Sequence, residues 1–148
     1  MSFFSKDPIY THSTLETKAL GALVAKSFLQ GTKETNRAVV LALEGELGSG
    51  KTTFVQGFAK ALGIQENVLS PTFVIVREHG KLYHIDCYRL SSGEELKALG
   101  WDKMVSHPGS FVLVEWPENI RELLPPYTKT ISFATLEGGE RVISFASP

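Results

Sequence analysis

Residues 45–52 have the types and the spacing needed to bind the phosphate groups of a nucleotide. They read GELGSGKT and match G-x-x-x-x-G-K-[ST], the pattern of the phosphate-binding loop (P-loop). Glycines let backbone N–H groups approach phosphate oxygens without a clash with a Cβ atom. Lys51 can reach the β- and γ-phosphates, and the Thr52 hydroxyl can bind Mg²⁺. The sequence therefore predicts a nucleotide site that includes Gly45, Glu46, Leu47, Gly48, Ser49, Gly50, Lys51 and Thr52.

Two carboxylates that follow apolar segments are candidate partners of a magnesium ion. Residues 111–114 form a wholly apolar run that ends in Glu115. An acid in this position is typical of the second nucleotide-site element of P-loop proteins, whose carboxylate holds Mg²⁺ directly or through water. Asp86 ends another apolar strand, in which the period of two puts His84 on the same face. A lone Asp at a strand end is usually a turn residue, so both interpretations of Asp86 stay open.

A strand before the loop and a helix after it are predicted to position these residues. Residues 39–43 are a short apolar run that suits a buried strand and leads directly into the loop. A helix should begin near Gly50, with its positive end towards the anion. Gly63 supplies a C-terminal stop for this helix. Its apolar residues recur at helical spacing, namely Phe54, Phe58, Ala61 and Leu62.

An amphipathic helix is predicted before the strand that carries the loop. Ser13 and Glu16 form a capping box at its start, and Gly31 follows its end. Residues 32–36 are predicted to be a polar connection. The apolar stripe that we expect to pack on the sheet consists of Leu15, Ala19, Ala22 and Leu23.

The segment after the loop helix has two open interpretations. The Ser-Pro step within residues 67–73 favours extended backbone and argues against a helix. The segment is either a simple connection or a switch-like loop whose Thr72 hydroxyl faces the nucleotide. The residues themselves favour neither interpretation.

Two β-hairpins and several short helices fill the rest of the chain. Residues 72–77 and 82–87 are rich in β-forming residues and flank a connection at residues 78–81. The second hairpin turns about Glu137-Gly138-Gly139. Its strands are expected at a sheet edge, with Arg141 as a solvated edge residue rather than a ligand. Short helices are predicted over residues 91–100, 101–106 and 118–124.

Together these elements predict an α/β, P-loop NTPase-like, three-layer fold with a mixed, partly parallel sheet and antiparallel hairpins. At 148 residues the chain is expected to form a single domain, residues 1–148. Its net charge of -1 argues against a large basic surface for nucleic acid. Cys87 is its one cysteine, which fits a reducing cytosol. Without a signal-peptide core or a membrane-spanning run, we expect a soluble, cytoplasmic protein.

The order of the motifs resembles one family, the TsaE (YjeE) ATPases of bacterial tRNA threonylcarbamoyladenosine modification. The resemblance rests on GELGSGKTTFVQGFAKALG, SPTF, HIDCYRL with EEL-x-x-LG behind it, and LVEWPE. It spans about residues 13–118 and, weakly, the terminal hairpin. A P-loop alone is shared by many proteins, whereas the combination of the other motifs at this spacing is specific. Departures are minor: Ser49 stands where Ala is common in the family, and Cys87 stands where Leu is common.

The resemblance implies roles for individual residues. ATP would bind at residues 45–53, with Lys51 on a phosphate and Thr52 on Mg²⁺. Glu115 would be the second metal-linked carboxylate, and Asp86 would help with Mg²⁺ or the attacking water. The implied catalytic residues are thus Lys51, Asp86 and Glu115, and the implied metal ligands are Thr52, Glu115 and Asp86. Three further residues complete the implied ATP site, namely Thr53, Thr72 and Trp116.

The resemblance also implies partners. The family works with TsaB and with the catalytic subunit TsaD, its ATPase is weak until it joins them, and tRNA would be met only through that complex. The main alternative is a small-molecule kinase of the P-loop class, which usually needs a lid carrying several arginines. The arginines here are scattered, and no N-K-x-D segment for guanine is present. A third possibility is a module that binds nucleotide only to stabilise an interface.

Overall fold

A single mixed sheet carries the predicted site residues. The computed structural model of the protein describes residues 3–5, 7–31, 36–68 and 75–148. Within them the strand order is β1-β7-β6-β2-β5-β4-β3. The strands are β1 (Ile9–Thr11), β2 (Val39–Gly45), β3 (Val76–His79), β4 (Leu82–Asp86), β5 (Phe111–Glu115), β6 (Lys129–Thr135) and β7 (Arg141–Ala146). The helices are α1 (Thr14–Gly31), α2 (Lys51–Ala61), α3 (Gly93–Ala98) and α4 (Trp101–Val105), with 3₁₀ helices at Phe3–Ser5 and Pro117–Leu123.

The central strands of the sheet are parallel and its outer strands are antiparallel. Strand β2 pairs in parallel with β5 on one side and with β6 on the other, and β5 pairs in parallel with β4. The pairs β3–β4, β6–β7 and β1–β7 are antiparallel. The predicted mixed, partly parallel α/β fold is therefore confirmed, and the carboxyl ends of β2, β4 and β5 meet at one edge of the sheet.

The alternation of side chains along the strands gives the sheet two buried faces. Leu41 and Leu43 of β2 pack with α1 and α2 in one apolar cluster. Val40 of the same strand packs with α3, α4 and the Pro117–Leu123 segment in a second cluster. Helical layers thus cover both faces of the central strands, as the three-layer prediction requires.

Helix α1 begins as predicted but buries a different face. Ser13 Oγ accepts a hydrogen bond from the Glu16 N–H at 3.1 Å, and the Glu16 carboxylate accepts one from the His12 N–H. The predicted stripe is wrong, because Leu15 is 78% exposed and Leu23 is 53% exposed. The buried residues of α1 are instead Thr17, Leu20, Gly21, Val24 and Ala25.

The close approach of α1 to α2 explains the difference. A Cβ atom added at Gly21 would lie 2.1 Å from the Phe54 carbonyl oxygen. One added at Gly57 would lie 1.9 Å from the Lys18 carbonyl oxygen. Each helix therefore presents a glycine to the backbone of the other, and this glycine contact, rather than the number of leucines on a face, sets the rotation of α1.

The hairpins also differ in detail from the predictions. The first turn is only Gly80-Lys81, since His79 pairs with Leu82. The second hairpin is not at the sheet edge, because β6 pairs with β2 and β1 covers β7. The segment predicted as a helix at residues 118–124 is a 3₁₀ helix, and the shorter α3 and α4 lie where helices were predicted. No helix in the described part of the chain has the length and apolar character to cross a membrane.

Candidate functional site

The loop between β2 and α2 presents the start of a helix to open space. Gly50 is the N-cap of α2, with φ of 108°, and no side chain caps this helix end. The first N–H groups of α2 therefore have no capping side chain, which is the arrangement that binds anions at helix N-termini. At the base of the loop, a Cβ atom on Gly45 would lie 2.6 Å from the Phe133 carbonyl oxygen, so the strand β6 beside it requires glycine there.

Lys51 is folded back over this loop. Its Nζ donates a hydrogen bond to the Gly45 carbonyl oxygen at 2.5 Å and lies 3.8 Å from the centroid of the Trp116 ring. Burial lowers the pKa of Lys51 below its ordinary value, while the nearby Glu115 and Asp86 act in the opposite direction. A carbonyl dipole and an aromatic face thus hold a desolvated ammonium group, which an anion could bind more strongly than either does.

Glu115 contacts the end of the loop directly. The Thr52 hydroxyl donates a hydrogen bond to Glu115 Oε2 at 3.3 Å. The same oxygen lies 2.5 Å from His84 Nε2, and the His84 side chain is fully buried. The His84 Nδ1 atom has no hydrogen-bond partner among the described residues. His84 therefore serves Glu115 alone, a role that the sequence did not reveal, although its alternation with Asp86 put it on the correct face.

Asp86 lies beside Glu115, since the two residues are paired in the register of β4 and β5. Its Oδ1 accepts a hydrogen bond from the Tyr88 N–H at 2.9 Å, which is the turn role of a strand-end Asp. Burial, the largest influence, raises the pKa of Asp86, and Glu115 raises it further, whereas the Tyr88 bond lowers it. The turn interpretation of Asp86 is therefore confirmed, and the residue also lines the cavity described below, so a role towards Mg²⁺ stays a prediction.

Trp116 follows Glu115 in a conformation that few large residues adopt. Its φ of 57° is the one positive value at a non-glycine residue in the described ranges. Such a conformation costs about 1–3 kcal/mol and is concentrated at functional sites. It places the indole ring against Lys51 and 5.0 Å, between centroids, from the ring of Tyr88. The strained residue therefore forms one wall of the site.

One cavity of about 340 Å³ joins these residues. Most of the residues predicted from the sequence line this cavity, namely Leu47, Gly48, Gly50, Lys51, Thr52, Thr53, Asp86, Glu115 and Trp116. Two further lining residues, Tyr88 and Arg141, were not in that set. The prediction that Arg141 is a solvated residue of an edge strand is wrong, because β7 has a neighbouring strand on each side. Arg141 is the first residue of β7 and lies at the end of the sheet where β2 leads into the loop.

The remaining predicted residues are not in the cavity lining. Gly45 and Glu46 form the base of the loop, and Ser49 is buried under it, with a hydroxyl that has no partner in the described part of the chain. Thr72, with the switch-like segment predicted around it, lies outside the described residues. Burial raises the pKa of the Cys87 thiol, next to Asp86, to about 12, and this side chain does not line the cavity.

The donors in the cavity fit a magnesium ion that is shared with phosphate oxygens. Thr52, Asp86 and Glu115 offer oxygen atoms only, which are the ligands that Mg²⁺ prefers. Within the described ranges, no three His, Cys, Asp or Glu side chains form a group that could hold a metal by themselves. A magnesium ion bound here would therefore need further oxygen ligands from outside the protein, such as water molecules.

Comparison with known proteins identifies the family. The family model described as "Threonylcarbamoyl adenosine biosynthesis protein TsaE" matches residues 11–143. A protein of Treponema pallidum (strain Nichols), named tRNA threonylcarbamoyladenosine biosynthesis protein TsaE, is 40% identical over 139 residues, which are 92% of this chain and 97% of that protein. A protein of the same name from Bacillus subtilis (strain 168) is 41% identical over 136 residues, which are 89% of this chain and 80% of that protein.

A solved structure agrees with these relatives. The crystal structure of Bacillus subtilis YdiB superimposes with a TM-score of 0.77 at 34% sequence identity and covers 95% of this chain and 84% of that one. The resemblance seen in the sequence motifs is thus confirmed by sequence similarity over most of the chain and by the similarity of its fold. The chain belongs to the TsaE family.

Proposed function

We propose that this protein is a P-loop ATPase of tRNA threonylcarbamoyladenosine biosynthesis, which hydrolyses ATP in complex with TsaB and TsaD. The observation that carries the proposal is the cavity in which Lys51 and Thr52 of the loop face Asp86 and Glu115. Enzymes of phosphoryl transfer use a cation, a hydroxyl group and carboxylates of this kind to bind the phosphates and Mg²⁺. The two carboxylates lie at the carboxyl ends of parallel strands, where ligands bind in such sheets. The names of the relatives and the family model support the tRNA-modification role.

In this proposal the loop binds the phosphate chain. The uncapped N–H groups at the start of α2 donate hydrogen bonds to phosphate oxygens, and the helix dipole favours their negative charge. Lys51 leaves the Gly45 carbonyl oxygen and the Trp116 ring to pair with a phosphate. The low-dielectric surroundings that lower its pKa strengthen this pairing.

In this proposal Glu115 binds the metal ion and Asp86 orients the attacking water. Thr52 and Glu115 would hold Mg²⁺, with Asp86 beside them, and the ion would supply neutralisation of the charge that develops on the phosphate oxygens. His84 fixes the Glu115 carboxylate by its bond to Oε2. Asp86 keeps one oxygen for Tyr88 N–H and has the other to orient a water molecule.

We expect the chain alone to hydrolyse ATP slowly. Its net charge of -1 argues against a broad basic surface, so tRNA would be met through the partner proteins. TsaB and TsaD would raise the rate by ordering residues around the carboxylates and by excluding water from the cavity.

The test is phosphate release from ATP by the purified chain, with and without TsaB and TsaD. We expect slow release alone, a clear increase with both partners, and no release from Lys51→Ala. Lys60→Ala, an exposed lysine at the other end of α2, is the matched control and should behave as the unmodified protein. Equal rates with and without partners would contradict the partner role. Transfer of the phosphate to an added small-molecule acceptor, without release, would support the kinase alternative.

A further inference from the structure

Arg141 begins β7 at the edge of the sheet where the loop lies. Strand β7 is antiparallel to β6, which in turn is parallel to β2, so the first residue of β7 lies beside the last residues of β2. Arg141 shares its face of the strand with Ile143 and Phe145, both packed in the cluster that contains α1 and α2. The side chain of Arg141 is therefore on the face of the sheet that carries the start of α2.

The guanidinium group reaches the loop itself. A Cβ atom added at Gly50 would lie 3.2 Å from both Cδ and Nη1 of Arg141. This contact and the cavity lining place Arg141 across the uncapped first turn of α2. A side chain at Gly50 would separate the arginine from the loop, which gives this glycine a second function besides its backbone conformation.

Arg141 is only weakly held by the protein. Its recorded hydrogen bond, from Nη1 to Thr17 Oγ1, is 3.5 Å long, at the limit for such a bond. No carboxylate of the described residues forms an ion pair with it. A half-buried guanidinium group without a carboxylate partner keeps its capacity for bidentate bonds to an anion.

The position of Arg141 also indicates which part of an anion it would meet. The two carboxylates of the cavity end β4 and β5, on one side of β2, whereas Arg141 begins β7, on the other side. A magnesium ion held by Thr52 and Glu115 would neutralise charge on the β- and γ-phosphates. The α-phosphate of a bound nucleotide would then lie at the opposite end of the cavity, near Arg141.

We propose that Arg141 is a nucleotide-binding residue that contacts the phosphate chain at its α-phosphate end, away from the magnesium site. The inference rests on the proposed function for the identity of the ligand, but the geometry requires only a polyphosphate in the cavity. Bidentate bonds from arginine to phosphate are charge-assisted and stronger than neutral ones. Arg141 thus complements Lys51, which serves the β- and γ-phosphates from within the loop.

The test is calorimetric titration with ATP, ADP and inorganic tripolyphosphate, each in the presence of magnesium. We expect Arg141→Ala and Arg141→Gln to bind all three about 10- to 100-fold more weakly than the unmodified protein. Lys129→Ala is the matched control, because Lys129 begins the neighbouring strand β6 at its other end, opposite Leu41, and should leave affinity unchanged. Thermal unfolding without ligand shows whether each variant is folded.

Four results would overturn the inference. Unchanged affinity in Arg141→Ala would show that the arginine does not touch the ligand. A loss confined to ATP would place it at the γ-phosphate, and a loss for nucleotides but not tripolyphosphate would place it on the base. Thr17→Val, which removes the hydroxyl near Nη1 but keeps the cation, should bind normally; an equal loss there would make Arg141 structural. If the unmodified protein binds ATP through Arg141 but releases no phosphate from it, with or without TsaB and TsaD, the proposed ATPase fails while this inference stands.

Discussion

His84 Nε2 lies 2.5 Å from Glu115 Oε2, so that a buried histidine of β4 holds the carboxylate that ends β5. The Thr52 hydroxyl bonds to the same oxygen, which links the loop to both strands through one atom. Three elements distant in sequence are thereby fixed against one another at the edge where the site lies. The orientation of Glu115 is a property of the sheet pairing and not of the local motif that identified it.

We predict that His84→Ala lowers ATP turnover about 10- to 100-fold, since residues that orient a metal-linked carboxylate have effects of this size. ATP binding should change much less, because His84 does not line the cavity. His84→Gln keeps a donor that can reach Glu115 and should recover part of the loss. Steady-state kcat and KM, measured in the partner complex, give the comparison. His107→Ala is an exposed control, and a His84→Ala variant with full turnover would make the contact purely structural.

A second prediction concerns Lys51. Lys51→Ala should abolish phosphate release and weaken ATP binding by about 10-fold or more, because the loss removes a charge-assisted bond to phosphate. Titration with a non-hydrolysable ATP analogue measures the affinity separately from the chemistry. Lys60→Ala on the same helix should bind as the unmodified protein does. Unchanged affinity in Lys51→Ala would mean that the loop does not hold the nucleotide.

The sequence was sufficient for those parts of the site that are local in the chain. The loop, the strand before it and the helix after it are contiguous, and Glu115 ends a run whose apolar character identifies a central strand. Two of the residues that the sequence did not reveal, Arg141 and His84, depend on tertiary pairing. Arg141 reaches the loop only because β7 returns antiparallel beside β6, and His84 meets Glu115 only because β4 and β5 are in register.

The rotation of α1 was missed for a related physical reason. A count of apolar residues favours the face with Leu15 and Leu23, yet both are exposed. The buried face is chosen by Gly21, whose missing side chain admits the backbone of α2. Such helix-to-helix contacts are decided by the partner surface, which a hydrophobic pattern within one helix does not contain.

A third prediction uses Trp116 as a reporter. Binding of an ATP analogue should move the Lys51 ammonium group away from the indole ring, from which it is 3.8 Å distant. The intrinsic tryptophan fluorescence should then change in a saturable way. In Trp116→Phe the remaining Trp101 is buried away from the cavity, so the change should disappear while calorimetry still detects binding. A change that persists in this variant would show that the signal comes from Trp101 and not from the site.

A fourth prediction concerns the thiol of Cys87. Burial raises the pKa of the Cys87 thiol to about 12, so very little of it is ionised at pH 8. Alkylation by iodoacetamide should therefore be very slow in the folded protein and rapid in denaturant. The thiol ionises at a lower pH in the unfolded protein than in the folded one. The contribution of Cys87 to the free energy of unfolding is therefore complete below pH 9 and is lost as the pH rises towards 12. Cys87→Ala should lack this decline, and rapid alkylation of the native protein would contradict the burial.

The last prediction separates the two carboxylates. Glu115 is held on one oxygen by His84 and Thr52, next to the loop, whereas Asp86 closes a turn through Tyr88 N–H and is paired with Glu115 in the register of the sheet. Glu115→Gln should therefore impair magnesium-dependent turnover and leave ATP affinity largely intact. Asp86→Asn should also lower turnover, with affinity again the smaller change.

The two variants should differ in their response to magnesium. If Glu115 holds the ion, Glu115→Gln raises the magnesium concentration needed for half-maximal turnover. Asp86→Asn should lower the maximal rate with little change in that concentration, because an asparagine keeps the turn but orients water poorly. A group that lowers turnover far more than binding acts chiefly in the transition state. Turnover and affinity are to be measured on both variants in the complex with TsaB and TsaD. Turnover of Glu115→Gln at the unmodified rate would make Glu115 structural and leave Asp86 as the one acid of the site.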